Sequence, residues 1–512
     1  MIDYIKLIEN SNVYDAAIVT PLTLAKKISD NSKNNIFLKR EDLQPVFSFK
    51  IRGAYNKIYS LTTEQKKIGV ITASAGNHAQ GVAFSAKRLG ISAVVVMPET
   101  TPKIKIDAVS SYGSKVVLFG ESYSDAAAHA ELLSKTSKAS YIHPFDDPQV
   151  IAGQGTIALE ILEQFGRLEQ SDRPVKGTPD LIFVCIGGGG LAAGIATYIK
   201  HKSPNTKVIG VQADDSNAMA RSIDEKTIVT LDEVGIFADG VAVKTVGKET
   251  FRLCQLYLDE IILVNTDEIC SAIKDVFEDT RVLLEPAGAL AVAGAKQYLK
   301  KNKLLGLNVV VTASGANVNF DRLRHVSERT EFAERRESVL AINLTERSGI
   351  LREFCATLGA RNITEFNYRL SHKSKALLYV GISIKDAYDL EALMRHLAEK
   401  NYHATDLTDN ETAKLHVRHM IGGHAQKGLS EVLYRFQFPE KPGALMTFLR
   451  KMDTDWNISL FHYRNHGADF GRVLCGLQIP SDSKKQFQLF LQSLQFPYFD
   501  ETDNVAYKLF LS

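Results

Sequence analysis

Lys50 is the side chain whose surroundings first suggest chemistry. It stands in Ser48-Phe49-Lys50-Ile51-Arg52-Gly53-Ala54, with an apolar neighbour on each side. Burial disfavours the ammonium form, so a lysine in such company gives up part of its charge preference. A neutral amine attacks an aldehyde and forms a Schiff base. The competing reading is a surface lysine among the 61 Lys and Arg residues of the chain. Upstream, Ile36-Phe37-Leu38 ends in Lys39-Arg40-Glu41-Asp42, which reads as a strand running into a loop. Downstream, Ala54 to Ile58 is helix-like, and Gly53 allows close approach near the helix start.

Three further stretches carry polar or glycine-rich chemistry. Gly187-Gly188-Gly189-Gly190-Leu191 follows an apolar run and opens an Ala-rich one. Consecutive glycines let backbone amides close on an anion, and a helix N-terminus adds a favourable dipole. The same residues satisfy G-x-G-x-x-A from Gly187 to Ala192, with Asp214-Asp215 after the next strand, so a dinucleotide site stays open beside a phosphate cradle. A tight turn that packs helix on sheet is the structural alternative. Ser74-Ala75-Gly76-Asn77-His78 lies between a strand and a helix and suits a carboxylate, with Asn77 able to donate to a phenolate-like oxygen. His78 reads more readily as a structural histidine than as a base. Thr312-Ala313-Ser314-Gly315-Ala316-Asn317 ends another strand.

Elements that place these residues follow from periodicity. Up to about residue 325, short β-branched runs alternate with Ala-rich helical stretches: Gly69 to Ala73, Ser92 to Met97, Lys115 to Leu118, Leu181 to Ile186, Lys207 to Val211 and Asn308 to Thr312. Such runs with helices between them predict parallel strands covered on both faces, an α/β domain in two lobes. Strand ends that share one carboxyl edge build one site. Ser327 to Glu337 is densely charged and reads as an exposed linker or helix. Beyond it the chain repeats itself: Arg347-Ser348-Gly349-Ile350-Leu351 matches Lys441-Pro442-Gly443-Ala444-Leu445. Asn362-Ile363-Thr364-Glu365-Phe366 matches Asn457-Ile458-Ser459-Leu460-Phe461 in the same order. Each unit predicts β-α-β-β-α-β, the split βαβ plan.

Bulk properties exclude several classes. A chain of 512 residues suggests two to four domains, and a net charge of +2 gives no reason to expect nucleic acid or an anionic membrane as partner. The five cysteines are scattered, without a C-x-x-C pair, which fits a reducing compartment and neither a disulfide framework nor a metal knuckle. No run approaches the ~20 apolar residues of a membrane span. The N-terminus reads as neither signal nor transit peptide. The expectation is a soluble cytoplasmic protein without a metal site.

Taken together, the Lys50, Ser74–Gly81, Gly187–Leu191 and Ser314–Asn317 motifs resemble threonine ammonia-lyase, also called threonine dehydratase, across nearly the whole chain. The resemblance implies a pyridoxal phosphate enzyme of fold type II, like tryptophan synthase β, followed by two α+β ACT-like domains. The expected domains are a catalytic one over 1–325, a linker over 326–337, and ACT-like units over 338–412 and 430–512. By resemblance, Lys50 holds the cofactor and removes the α-proton, Gly187 to Leu191 hold its phosphate, Asn77 meets its 3′-oxygen and Ser314 faces its ring nitrogen. Ser74, Ala75, Gly76 and Asn77 would take the substrate carboxylate. Glu285 lies near the cofactor in related enzymes, against an equal reading as an ordinary acid at a helix start before Pro286. The implied substrate is threonine, with some serine turnover. Isoleucine and valine are the implied effectors, with Gly349, Ile350, Leu351, Asn362, Gly443, Ala444, Leu445 and Asn457 as contact candidates, and a homotetramer is the implied assembly. Alternatives are a serine dehydratase or serine racemase of the same fold, an inert amino-acid sensor, and a nicotinamide oxidoreductase.

Overall fold

The computed structural model describes residues 2–168, 175, 177–320, 322–333, 337–345, 353–354, 357–358, 361, 363–372, 375–417, 431–439, 448, 451–452, 456–464, 470–480, 482–494 and 497–511. The chain divides into two units, Met1–Val326 and Ser327–Ser512.

In the first unit, strands β1 (Leu22–Leu24), β2 (Asn35–Arg40), β7 (Leu181–Cys185), β8 (Lys207–Ala213), β9 (Glu260–Val264) and β10 (Asn308–Ala313) form one sheet, ordered β1-β2-β10-β7-β8-β9. Only β1 runs antiparallel. Every residue of β7 is buried, as an apolar run covered on both faces requires. A smaller parallel sheet holds β3 (Val70–Ala73), β4 (Ala93–Met97), β5 (Lys115–Leu118) and β6 (Ser140–Tyr141) in the order β5-β4-β3-β6. These are the two lobes, and all the predicted apolar runs lie in them. In register, β10 sets Ala313 beside Arg40 of β2, and Val310 beside Ile182 of β7, so their carboxyl ends share one edge.

One local expectation changes. The four charged residues after Leu38 do not end the strand on the surface: β2 continues through Arg40, and Lys39, Arg40, Glu41 and Asp42 are all buried. Their charges are answered internally. Lys39 pairs with Glu160, Arg40 with Asp42, and Arg52 with both Glu41 and Glu160. This network joins the end of β2, the helix Lys50–Tyr59 and the helix Pro148–Arg167. Gly53 lets the last two meet: a Cβ there would lie 2.7 Å from the Val150 carbonyl oxygen. Among the described residues, no helix is long and apolar enough to cross a membrane.

The second unit contains the duplication as structure. β11 (Glu337–Thr345), β12 (Ile363–His372), β13 (Lys375–Ser383) and β14 (His403–Asp406) form a sheet ordered β12-β13-β11-β14. β15 (Glu431–Pro439), β16 (Asn457–Arg464), β17 (Phe470–Gln478) and β18 (Tyr498–Asp500) repeat it as β16-β17-β15-β18. The second helix of each unit spans Ala387–Glu399 and Lys484–Ser493. Even an irregularity recurs: β12 slips register after Ile363, opposite Ile382, and β16 slips after Ile458, opposite Leu477. The charged stretch before β11 is less exposed than its composition suggests. It is helical through Ala333, and Arg329 and Thr330 are buried, with Arg329 paired to Glu411.

Candidate active site

Lys50 opens the helix Lys50–Tyr59, reached from β2 by the loop 41–49. Phe49 N–H donates to the Ser314 carbonyl at 3.2 Å, and Ser48 bridges Gly315, so that loop is stitched to the end of β10. The Lys50 side chain is partly buried, and Nζ donates to the Pro144 carbonyl at 3.0 Å. Desolvation pushes its pKa down to about 8, against the smaller opposing pull of Cys185 and Glu285. Gly81 lets the helix Asn77–Leu89 lie against the Lys50 backbone, where a Cβ would sit 3.1 Å from the Lys50 carbonyl.

The other predicted residues converge on the same edge. Asn77 Nδ2 donates to Glu285 Oε1 at 2.5 Å, and Asn77 Oδ1 accepts from Asn317 Nδ2 at 2.6 Å. Glu285 precedes Pro286 at the start of the helix Pro286–Lys301, yet its side chain makes no cap bond there. It turns instead to Asn77, so the helix-start reading does not describe its geometry. Burial, then the nearby Asp239 carboxylate, push Glu285 up to about 7. Ser314 is 3% exposed; its hydroxyl accepts from the Cys185 thiol and donates to the Ala287 carbonyl, both at 3.3 Å. Ser74, Ala75 and Gly76 are partly exposed and lead into the Asn77 helix, and Ser74 Oγ accepts from Gly76 N–H. Gly187 to Gly189 turn from β7 into the helix Gly190–Lys202, with Leu191 in its first turn. His78 stands apart from this chemistry. Burial pushes it down to about 3, and Nε2 donates to the Ile142 carbonyl, so it is a neutral structural group.

A family model described as pyridoxal-phosphate dependent enzyme matches residues 13–315. A second, the C-terminal regulatory domain of threonine dehydratase, matches twice, over 328–417 and 422–511. L-threonine dehydratase biosynthetic IlvA of Burkholderia multivorans is 52% identical over 100% of this chain and 99% of its own. The Escherichia coli protein of that name is 49% identical over 100% of this chain and 97% of its own. The chain belongs to the biosynthetic threonine dehydratases. Among solved structures, the processed form of threonine deaminase isoform 2 from Solanum lycopersicum is 49% identical, with a TM-score of 0.60 over 64% of this chain and 87% of its own.

Threonine dehydratases of this family use pyridoxal phosphate, and the residues present fit it. The helix Gly190–Lys202 has no side-chain cap, which leaves its first amides available to an anion. Gly189 has φ +97°, and a Cβ on Gly188 would lie 2.3 Å from the Phe145 ring, so the cradle admits backbone only. The Asn77 helix is likewise uncapped, and a Cβ on Gly76 would meet open space within 4 Å. An amine of lowered pKa and two free helix N-termini thus flank Ser314 and Asn77.

Two segments of the site escape the sequence reading. In His143-Pro144-Phe145-Asp146, His143 Nδ1 accepts from Phe145 and Asp146 N–H, fixing the Pro144 carbonyl that meets Lys50 and the ring behind Gly188. Asp239-Gly240-Val241 closes another side: a Cβ on Gly187 would be 3.0 Å from Val241 Cα, and one on Gly240 3.9 Å from Asn77 and Glu285 atoms. Both contain Gly or Pro beside a polar residue after an apolar run, a strand-end signal weaker than four glycines. The effector candidates belong to the second unit. Gly349, Ile350, Leu351, Asn362, Gly443, Ala444 and Leu445 lie outside the described residues, and Asn457 opens β16 opposite Gln478.

Proposed function

We propose that this protein converts L-threonine to 2-oxobutanoate and ammonia by eliminating the β-hydroxyl, the committing step of isoleucine formation. The observation that carries the reading is Lys50: an amine held near pKa 8 where two uncapped helix N-termini, Asn77 and Ser314 converge. Pyridoxal phosphate bound there supplies an aldehyde that captures an amine and a conjugated ring that accepts the electron pair left at the α-carbon. Lys50 holds the group, and its released amine then takes the α-proton. The amides from Gly187 to Leu191 hold the phosphate. Asn77 donates to the phenolic oxygen, and Ser314 offers a neutral hydroxyl to the ring nitrogen, which favours elimination over transamination. Ser74 to Asn77 take the substrate carboxylate. Glu285, ionised above about pH 7 and held by Asn77, keeps that amide oriented. The β-hydroxyl departs with a proton as water, and one water molecule then replaces the nitrogen, so threonine yields 2-oxobutanoate and ammonia. The methyl group of threonine contributes about 1–3 kcal/mol of discrimination, so serine is a slower substrate.

The duplicated unit supports feedback control, with isoleucine inhibiting and valine activating, in a cytoplasmic homotetramer. ACT-like units over 338–412 and 430–512, joined to a catalytic domain over 1–325 by residues 326–337, are the division we adopt. The test is absorption spectroscopy of the purified protein, followed by addition of threonine with and without isoleucine. A visible chromophore, fixed to Lys50 by borohydride, and isoleucine-suppressed 2-oxobutanoate are expected. A protein that stays colourless and inactive with added cofactor overturns the enzyme reading. Faster turnover of serine than threonine overturns the substrate.

A further inference from the structure

Catalysis as proposed needs a cleft that admits an amino acid and closes over it. The walls come from different sheets: Ser74 to Asn77 from the small one, Gly187 to Gly190 and Ser314 from the large one. Bonds that cross between the walls therefore hold closure. One crossing contact is ionic. Lys105, on the helix Lys103–Ser110 beside β5, donates from Nζ to Asp239 Oδ2 at 2.9 Å. Asp239 begins the turn whose Gly240 faces Asn77 and Glu285 and whose Val241 backs Gly187. Its other oxygen, Oδ1, accepts from Arg322 Nη1 at 3.1 Å, while that nitrogen also donates to the Phe237 carbonyl at 2.8 Å. Arg322 begins the helix Arg322–Ala333, along which the chain leaves the catalytic unit for the duplicated one.

One carboxylate thus serves both the small lobe and the exit helix. Burial pushes the Asp239 carboxyl up, but Lys105 and Arg322 outweigh it and hold the group well below the usual carboxylate range. Asp239 stays ionised at working pH, and its hold depends on geometry. Arg322 is 3% exposed, and its Nε and Nη2 have no partner among the described residues. Buried donors without a partner are costly, and in this arrangement Arg322 bears that cost beside its Asp239 contact. Packed elements of this kind switch between discrete arrangements.

We propose that Asp239 is a positioning residue that latches the cleft, holding the small lobe through Lys105 and the exit helix through Arg322, so that movement of the exit helix loosens closure over the substrate. This rests on the function proposed above and names its route of control. Two variants of the full-length protein with cofactor test it: Lys105→Met removes one arm at a side chain 17% exposed, and Arg322→Lys shortens the other while keeping its charge. Hydrogen exchange over residues 103–110 is read beside threonine kinetics, with and without isoleucine. Losing a partly buried pair is expected to raise KM for threonine about tenfold in Lys105→Met, with kcat within about threefold of the parent. Exchange over 103–110 rises about fivefold or more in either variant, and in the parent when isoleucine is added. The double variant is no worse than Lys105→Met alone, because both substitutions break one latch. Parent-like exchange in both variants, or effects that multiply in the double variant, overturn the latch. A parent protein that does not deaminate threonine sinks the proposed function instead, and the exchange comparison still decides the latch. If Arg322→Lys does not fold by circular dichroism, Lys105→Met decides alone, since parent-like KM and exchange there refute the proposal.

Discussion

Lys50 and Glu285 carry the pH behaviour expected of the site, and each shift has a named cause. A free amine is the reactive form, and an ordinary lysine near 10.5 is well under one per cent unprotonated at pH 8. With burial lowering Lys50 to about 8, half of it is free at that pH. Uptake of pyridoxal phosphate by cofactor-stripped protein should therefore rise with pH through a midpoint near 8 and level off above about 9, followed by absorbance from about pH 6 to 11. A midpoint above 10 would show that Lys50 is solvated like a surface lysine. Glu285 titrates the other way: burial raises it to about 7, so it is neutral below and ionised above. The Asn77 donation is strongest to the carboxylate, a bond worth about 1.5–3 kcal/mol. Glu285→Gln should erase any inflection near pH 7 in kcat/KM and slow turnover at pH 8 by about ten- to hundredfold. An unchanged inflection would move that titration to another group. The positions of Lys50, Asn77 and Ser314 are legible in the sequence because local motifs mark strand ends. The setting of Glu285 is not: a helix-start acid before proline looks the same whether it caps its own helix or reaches Asn77, more than two hundred residues away.

At the scale of elements, the sequence reveals what is periodic and hides what is paired over distance. Six strand runs and the glycine turn show themselves as apolar segments with punctuation. The charges at Lys39 to Asp42 mislead, because a charged run usually means solvent, and only the fold supplies Glu160 and Arg52 as counterions. That network makes a stability prediction. Arg52 bridges Glu41 and Glu160 with all three side chains essentially inaccessible. Arg52→Met leaves Glu41 buried without its cation, which costs about 3–5 kcal/mol when one partner of a buried pair is removed. The urea midpoint of the catalytic unit should fall accordingly, and an unchanged midpoint would mean that the carboxylates simply take up protons. The glycine turn makes a second. Gly189→Ala combines a strained φ of +97° with a Cβ 2.6 Å from Met219 Cε. About 1–2 kcal/mol of backbone strain alone, passed to the cradle, weakens cofactor retention by about five- to thirtyfold in equilibrium dialysis. Full retention would place the phosphate elsewhere.

The whole molecule is two units, and the second is itself a pair whose halves share a core. Tyr379 and Ala413 of the first repeat pack with Leu433, Tyr507 and Phe510 of the second, and the Tyr379 and Phe510 rings meet edge-on at 5.3 Å. The duplication is visible in the sequence from its glycine turns and Asn-Ile strands, but a third repeated stretch shows its purpose only in three dimensions. Asp406-Leu407-Thr408-Asp409-Asn410 recurs as Asp500-Glu501-Thr502-Asp503-Asn504. In both copies the aspartate accepts from the threonine N–H, the threonine hydroxyl accepts from the first strand of its sheet, and the asparagine caps a short helix. The two asparagines then meet: Asn410 Nδ2 donates to Asn504 Oδ1 at 3.3 Å, and Asn504 Nδ2 donates to Thr412 at 3.1 Å. Asn504 therefore holds its own helix and ties the repeats together. Replacing a cap of this kind with alanine costs about 1–2 kcal/mol. In calorimetry of the intact chain, Asn504→Ala should lower the transition of the duplicated unit by about 2–6 °C and leave that of the catalytic unit in place. Threonine turnover without effectors should match the parent, while the isoleucine response weakens, because an effector acts only through a second arrangement that the repeats must hold together. If both transitions fall together, the two units unfold as one, and control by the duplicated unit would have to pass through their shared stability.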